Sequence, residues 1–226
     1  MITSETDIQI GDVIYPVINT GKPTWSNKKH SFSQVGEGLN LWLDVKCFAE
    51  SVAHVAETDL ESGGMLVGRV FQENEKLHVQ VEGIIPARLA QGENASLLFT
   101  SDSWVAMLKE KERSFRDLLV VGWYHSHPLM AIMMSGWDIS LHQGFFPEPW
   151  QIACVLDPFR GIGGFYYVGA VGNGYPKLIK NIIINDSDNV LDESNFDIRY
   201  EAGFLLFKRY PHPYLGEVLP SDLLNL

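Results

Sequence analysis

Residues 122–138 read Gly-Trp-Tyr-His-Ser-His-Pro-Leu-Met-Ala-Ile-Met-Met-Ser-Gly-Trp-Asp. The apolar run at 118–124, LLVVGWY, predicts a strand that leads straight into His125-Ser126-His127. Alternate residues of an extended chain point to the same side, so His125 and His127 can aim both imidazoles at one point while Ser126 points away. Pro128 and the Met-rich stretch to Met134 predict an apolar loop. Ser135 then opens a helix reaching about Phe146, with Asp138 in its first turn, where the carboxylate can close on the same point. Two neutral imidazoles and one carboxylate make three ligands, the number a catalytic zinc keeps while leaving a fourth position for water.

A plainer account exists for each part. A His-x-His pair on a strand also occurs as two surface histidines, and Ser135-x-x-Asp138 is a capping-box pattern. The two accounts are compatible, because a capped helix start is a rigid place to mount a ligand.

Outward from this stretch, helices and strands interleave. Asp44 is an N-cap for a helix over 45–58, with Val45, Phe48, Ala49, Val52 and Ala56 at helical spacing. Residues 63–71 and 77–85 form a hairpin about the turn QENEK, and 86–98 form a loop. A second helix runs from Thr100 or Ser101 to about Phe115, and strands follow at 151–157, 164–171 and 177–184. Upstream, 8–18 and 39–43 read as strands, and 19–38 as a loop or arm rich in Gly, Pro, Ser, Asn and Lys. Residues 185–195 are a polar linker, and FDIRYEAGFLLFKRY (196–210) reads as a final helix. The expected organisation is an N-terminal arm over 1–38, a domain over 39–184 and a C-terminal extension with a helix over 185–226. The class is α/β.

Composition narrows the function. The 226 residues suit one ordinary domain with extensions, and 46% hydrophobic with 20% charged residues is normal for a globular chain. The net charge of -11 and the scattered Lys and Arg argue against nucleic acid as a partner, and an acidic surface suits a basic peptide. Cys47 and Cys154 sit among apolar neighbours and read as core residues. Neither a signal-peptide pattern at the start nor a membrane-length apolar run is present, so the expected location is cytoplasmic, with no membrane partner. His142, one turn after Asp138, reads as a helix-surface residue or one standing behind the site. His30, His54, His78 and His212 read as structural or exposed. Trp123, Trp137 and Trp150 read as core packing around the site, and Asp157-Pro158 as a turn.

The spacing His125-Ser126-His127-Pro128, then Ser135 and Asp138, resembles the signature of the JAMM metalloproteases, the MPN+ or JAB domains, H-[S/T]-H-P-x6-S-x2-D. Glu61-Ser62-Gly63-Gly64-Met65-Leu66-Val67-Gly68 is similar to the family's upstream E-x-x-G-x-L-x-G. The resemblance covers roughly residues 40–172 and implies a mixed β-sheet flanked by helices, of the cytidine-deaminase-like type. It implies one Zn2+ per chain on His125, His127 and Asp138, with a catalytic water as fourth ligand and no other cofactor. Glu61 would be the general base and Ser135 the oxyanion donor. The implied activity is hydrolysis of the peptide or isopeptide bond after the C-terminus of a ubiquitin-like protein, in deconjugation or precursor processing. The implied partners are that protein or its conjugate, and conjugation enzymes in systems like those of the compact prokaryotic members. The loop 86–100 and the stretch Leu129–Met134 are the segments expected to shape a substrate groove, the second reading also as core. Alternatives are a JAMM peptidase acting on a sulfur-carrier adduct or a phage-related peptide, and a non-catalytic MPN scaffold.

Overall fold

A computed structural model describes residues 18–23, 29–33, 39–74, 76–89, 91–93, 96–168, 174–186 and 198–212. Strands β1 (Ile18–Thr20), β2 (Lys29–Ser33) and β3 (Asn40–Asp44) precede helix α1 (Val45–Val55). Then come β4 (Gly63–Glu73), β5 (Lys76–Pro86), β6 (Gln91–Glu93), β7 (Ser96–Leu98), α2 (Ser101–Ser114), β8 (Leu119–Ser126) and α3 (Gly136–Phe145). The chain continues through β9 (Ile152–Asp157), β10 (Ile162–Tyr167), β11 (Lys177–Leu178), β12 (Asn181–Asn185), β13 (Ile198–Glu201) and β14 (Phe204–Phe207).

One sheet carries the strand order β13-β14-β10-β9-β8-β4-β5-β3-β12-β2, with β1 pairing β4 and β11 pairing β10. It is mixed: β8–β9, β3–β5, β3–β12 and β1–β4 are parallel and the other pairs antiparallel. Each face carries its own apolar cluster. α1 supplies Val45, Cys47, Phe48, Val52 and Val55 to one, against Leu66, Val79, Val81, Ile152, Cys154 and Leu156. Met107 of α2, Phe146 after α3, Met65, Val67, Trp123, Ala153 and Val155 form the other. Successive residues of β4 and β9 thus divide between the clusters, as the period of two requires. The fold is the α/β arrangement that the interleaved pattern implies, with helices on both faces. Both cysteines are buried and free, as core residues, and burial pushes both thiols up.

α1 starts where expected, with Asp44 accepting from the Lys46 N–H, but ends at Val55, so 56–58 lie outside it. The expected helix over 196–210 is instead the hairpin β13–β14. Ile198 pairs with Phe207 and Glu201 with Phe204 across a turn at Ala202 (φ 52°) and Gly203 (φ 100°). Two successive positive φ values make a turn that matches strand twist, and Ile198, Leu205 and Phe207 face the α1 cluster. The hairpin extends the sheet through β14–β10. Residues 19–38 are also not simply an arm, since β1 and β2 both pair into the sheet. The expected strand at 8–18 lies outside the described residues except for Ile18, as does most of the linker 185–195. The expected loop 86–98 holds a small separate sheet, β6–β7.

One irregularity aims the site. Leu66 pairs with Gly122 but Val67 with Val120, so Val121 is an extra residue in β8. This bulge resets the alternation: Val120 and Trp123 pack on the α2 side, Val121 and Tyr124 on the α1 side. A strictly alternating strand that kept Val120 on its face would turn His125 to the opposite one. Glycine is required at the bulge. Gly122 has φ +156°, and a Cβ there would lie 2.0 Å from the Ile152 carbonyl oxygen. Gly122→Ala is expected to cost about 1–3 kcal/mol, read as a lower urea midpoint at unchanged slope.

Candidate active site

β8 delivers His125 at its end and His127 one residue past it, and both side chains are buried. Their Nε2 atoms stand 3.0 Å apart. The Asp138 carboxylate straddles the pair, Oδ1 3.3 Å from His125 Nε2 and Oδ2 3.4 Å from His127 Nε2. The donor atoms of these three residues all lie within 4.8 Å of one another, the one such group of three among the described residues. Glu61, 4% exposed, stands just before β4, with Oε1 3.8 Å from His127 Nε2.

Local structure explains how each side chain is held. The Ala131 carbonyl, 2.9 Å from His127 Nδ1, accepts a hydrogen bond from the Nδ1–H and so favours the tautomer whose Nε2 lone pair faces the cluster. His125 lies flat against Trp123, ring centroids 4.4 Å apart at 9°, and so is oriented by packing. Trp123 Nε1 donates to His142 Nδ1 at 3.0 Å, which places buried His142 behind the site and outside the donor group. Asp138 sits in a capping box: Ser135 Oγ accepts from the Asp138 N–H at 3.2 Å, and the Ser135 N–H donates to Asp138 Oδ2 at 2.6 Å. The cap and the convergent donor therefore coexist. Ser135 is exposed, so its hydroxyl is accessible from outside the cluster. On the other side, Ser126 points away from the cluster and ties the segment carrying Glu61. Its Oγ accepts from the Ser62 N–H at 3.0 Å and its N–H donates to the Ser62 carbonyl at 2.8 Å. Gly63 permits this approach, since a Cβ there would meet the Tyr124 carbonyl at 2.1 Å.

The electrostatics are those of buried groups held together. Burial raises Glu61 to about 7; the nearby His127 opposes this and the Asp138 carboxylate adds to it. Burial would also raise Asp138, but hydrogen bonds with His125, His127 and Ser135 outweigh it and hold the carboxyl well below its usual range. Burial lowers His125 despite Asp138 beside it. Burial would lower His127 too, but Asp138 and the Ala131 carbonyl raise it. Burial alone takes His142 down to about 4.

The donor set fits a divalent ion. Ligands at about 2.0–2.1 Å in a tetrahedron stand about 3.3 Å apart; the two imidazole nitrogens are 3.0 Å apart, and each faces a different oxygen of Asp138, at 3.3 and 3.4 Å. Two nitrogens and a carboxylate are donors that suit zinc.

Residues 43–146 match the family model described as JAB1/Mov34/MPN/PAD-1 ubiquitin protease. This segment of the chain is similar to the JAB/MPN family. COP9 signalosome complex subunit 5 of Caenorhabditis elegans is 31% identical over 150 residues, 63% of this chain and 37% of that protein. AMSH-like protease sst2 of Schizosaccharomyces pombe is 27% identical over 153 residues, 64% of this chain and 32% of that protein. The 26S proteasome non-ATPase regulatory subunit 14 of Drosophila melanogaster is 37% identical over 65 residues, 28% of this chain and 21% of that protein. The chain spans well under half the length of these curated relatives. The matched JAB/MPN segment contains all five residues singled out from the sequence, Glu61, His125, His127, Ser135 and Asp138.

Around the site, two expectations need adjustment. Trp123 and Trp150 are core residues, but Trp137 is 55% exposed beside Asp138. In the Met-rich stretch Met134 is buried while Met133 is 58% exposed, so the stretch is split between core and surface. The Ala131 carbonyl was not foreseeable, because a main-chain group carries no residue-type signal. His54 and His78 are structural, bonded to Tyr124 and to Asn40 and Trp42, and His212 packs on Phe159. No helix among the described residues is long and apolar enough to cross a membrane.

Proposed function

We propose that this chain is a zinc-dependent isopeptidase or peptidase that hydrolyses the bond after the C-terminus of a ubiquitin-like protein. The observation that carries it is the convergence of His125, His127 and Asp138 on one point with Glu61 beside it. His125, His127 and Asp138 would hold the zinc. When bound, zinc supplies a Lewis acid that polarises the scissile carbonyl and makes water acidic near neutrality. Glu61 accepts the proton of the attacking water on a carboxylate oxygen and passes it to the leaving amine nitrogen. Its burial, which lifts its affinity for a proton, suits both halves of that transfer. Ser135 donates a hydrogen bond from its hydroxyl to the oxygen that gains charge as the carbonyl is attacked.

The substrate class is supported by the family description, which names a ubiquitin protease, and by the relative whose name is a protease. An extended tail would lie near the β6–β7 hairpin, which starts shortly after the Ala87 N–H bonds the Gly63 carbonyl, two residues from Glu61. Exposed Leu98, Met133 and Trp137 offer apolar surface for it. The test is elemental analysis of the purified chain together with cleavage of a ubiquitin-like protein bearing a C-terminal amide or a lysine-linked partner. One zinc per chain and chelator-sensitive cleavage are expected. A zinc-loaded chain that cuts no such bond would reduce the protein to a scaffold.

Ser135 has two separable duties. Ser135→Ala is expected to slow turnover by about 10²–10³-fold and to lower stability by about 1 kcal/mol through loss of the cap. If turnover kinetics are unchanged while the unfolding midpoint drops, Ser135 is a cap alone.

A further inference from the structure

The loop 127–135 that joins the two halves of the site lies outside the sheet ladder, yet one of its carbonyls, that of Ala131, orients His127. Its own backbone makes two turn bonds, Met130 N–H to the His127 carbonyl and Met133 N–H to the Ala131 carbonyl, both at 3.1 Å, and side chains add further tethers. Asp157, at the end of β9, is fully buried and accepts four hydrogen bonds. Two reach Oδ1 from the Phe159 and Arg160 N–H groups, both at 3.0 Å, and form the turn foreseen at Asp157-Pro158. The other two reach Oδ2, from Arg160 Nε at 2.5 Å and from the Leu129 N–H at 2.9 Å. Arg160 Nη2 in turn donates to the Met130 carbonyl. Leu129 has φ +58°, a left-handed conformation that a leucine adopts only when its surroundings impose it. Beyond Ala131, the Tyr166 hydroxyl donates to the Ile132 carbonyl at 2.6 Å. Ala131 is therefore bracketed by side-chain tethers at Leu129, Met130 and Ile132.

We infer that Asp157 and Arg160 are positioning residues: as a clamp they hold the 129–131 backbone so that the Ala131 carbonyl fixes the ring of His127. The inference rests on the proposed role of His127 in holding zinc. Neither clamp residue touches the donor group. Their effect passes through three backbone groups, the Leu129 N–H, the Met130 carbonyl and the Ala131 carbonyl. A merely structural turn would need only the bonds to Phe159 and Arg160 N–H. The two bonds into the loop are the surplus that a positioning role explains. Groups that orient a metal-bound histidine are typically worth about 10–100-fold in metal affinity.

The experiment measures zinc affinity by chelator competition on the full chain for wild type, Arg160→Ala, Arg160→Lys, Asp157→Asn and His127→Ala. The unfolding midpoint of each zinc-free protein is measured alongside. Arg160→Ala is expected to weaken zinc binding about 10–100-fold, with the His127 Nδ1–H proton resonance moved or lost to exchange. Arg160→Lys, which can reach Asp157 or the Met130 carbonyl but not both with a planar fork, should fall between. Asp157→Asn tests the other half, and if it fails to fold, the two Arg160 variants still decide. Wild-type zinc affinity in Arg160→Ala, with His127→Ala unable to bind, would overturn the clamp and leave the proposed function standing. A lower midpoint in Arg160→Ala at unchanged affinity would likewise reduce the pair to fold stabilisers. Equal binding by wild type and His127→Ala would overturn the role of His127, and the clamp with it.

Discussion

Glu61→Gln is expected to retain one zinc per chain and to lose turnover by about 10²–10⁴-fold. Glutamine fills the same volume and keeps a carbonyl acceptor, but it cannot take up a proton. Glu61 Oε1 stands 3.8 Å from His127 Nε2, beyond hydrogen-bond reach, so the change should leave the three convergent donors in place. The metal-free protein provides an independent check. The folded-state pKa of Glu61 is raised to about 7, above its value in the unfolded chain. The folded state then holds a proton that the unfolded state has released, so Glu61 costs stability progressively as pH rises from about 4.5 to about 7. Glu61→Gln removes that loss, so the zinc-free variant should match the wild type at pH 4 and exceed it at pH 8. In the loaded enzyme a nearby divalent charge favours the carboxylate, so the acidic limb of kcat/KM should lie below about 7. A Glu61→Gln enzyme that turns over at near wild-type rate would remove Glu61 from the chemistry.

The elements that carry the site were the most legible, for a physical reason. The His-x-His strand, the capped helix at Ser135, the α1 helix after Asp44 and the hairpin of β4 and β5 are each specified by short-range pattern. Alternation, cap chemistry and a polar turn need no knowledge of distant partners. The segments misread were those whose form depends on what they pack against. In 196–210 the apolar residues are mixed with polar ones, and composition alone does not separate a helix from two strands. The contacts of Ile198, Leu205 and Phe207 with the α1 cluster and the pairing with β10 choose the hairpin. Ala202-Gly203 was its one local signal. β1 and β2 are short strands that borrow their order from β4 and β12. Trp137 reads as core by composition, but its position between Gly136 and Asp138 follows Asp138's demand to face the donors, which turns the indole outward. The bulge at Val121-Gly122 was invisible as well, although without it the histidine pair would address the other face.

His127→Ala is expected to abolish both zinc binding and turnover. Removing one of three protein donors leaves His125 and Asp138, and two ligands do not define a catalytic site. The loss should also appear in stability. A ligand present at a thousandfold its Kd stabilises the folded state by about 4 kcal/mol. In a chain of this size that is a rise of roughly 8–16 °C in Tm. Adding zinc should raise the wild-type Tm by that order and leave His127→Ala unmoved. pH sharpens the test. His127 binds its proton more tightly in the folded metal-free chain than a free histidine does, because Asp138 and the Ala131 carbonyl outweigh burial. A metal competes with that proton, so zinc affinity in the wild type should weaken as pH falls through the raised His127 pKa, and binding should release protons there. His127→Ala has neither the proton nor the donor. Full zinc occupancy in His127→Ala, or a wild-type affinity indifferent to pH between 5 and 8, would mean that the ion sits elsewhere and that the imidazole pair and Asp138 do not hold it.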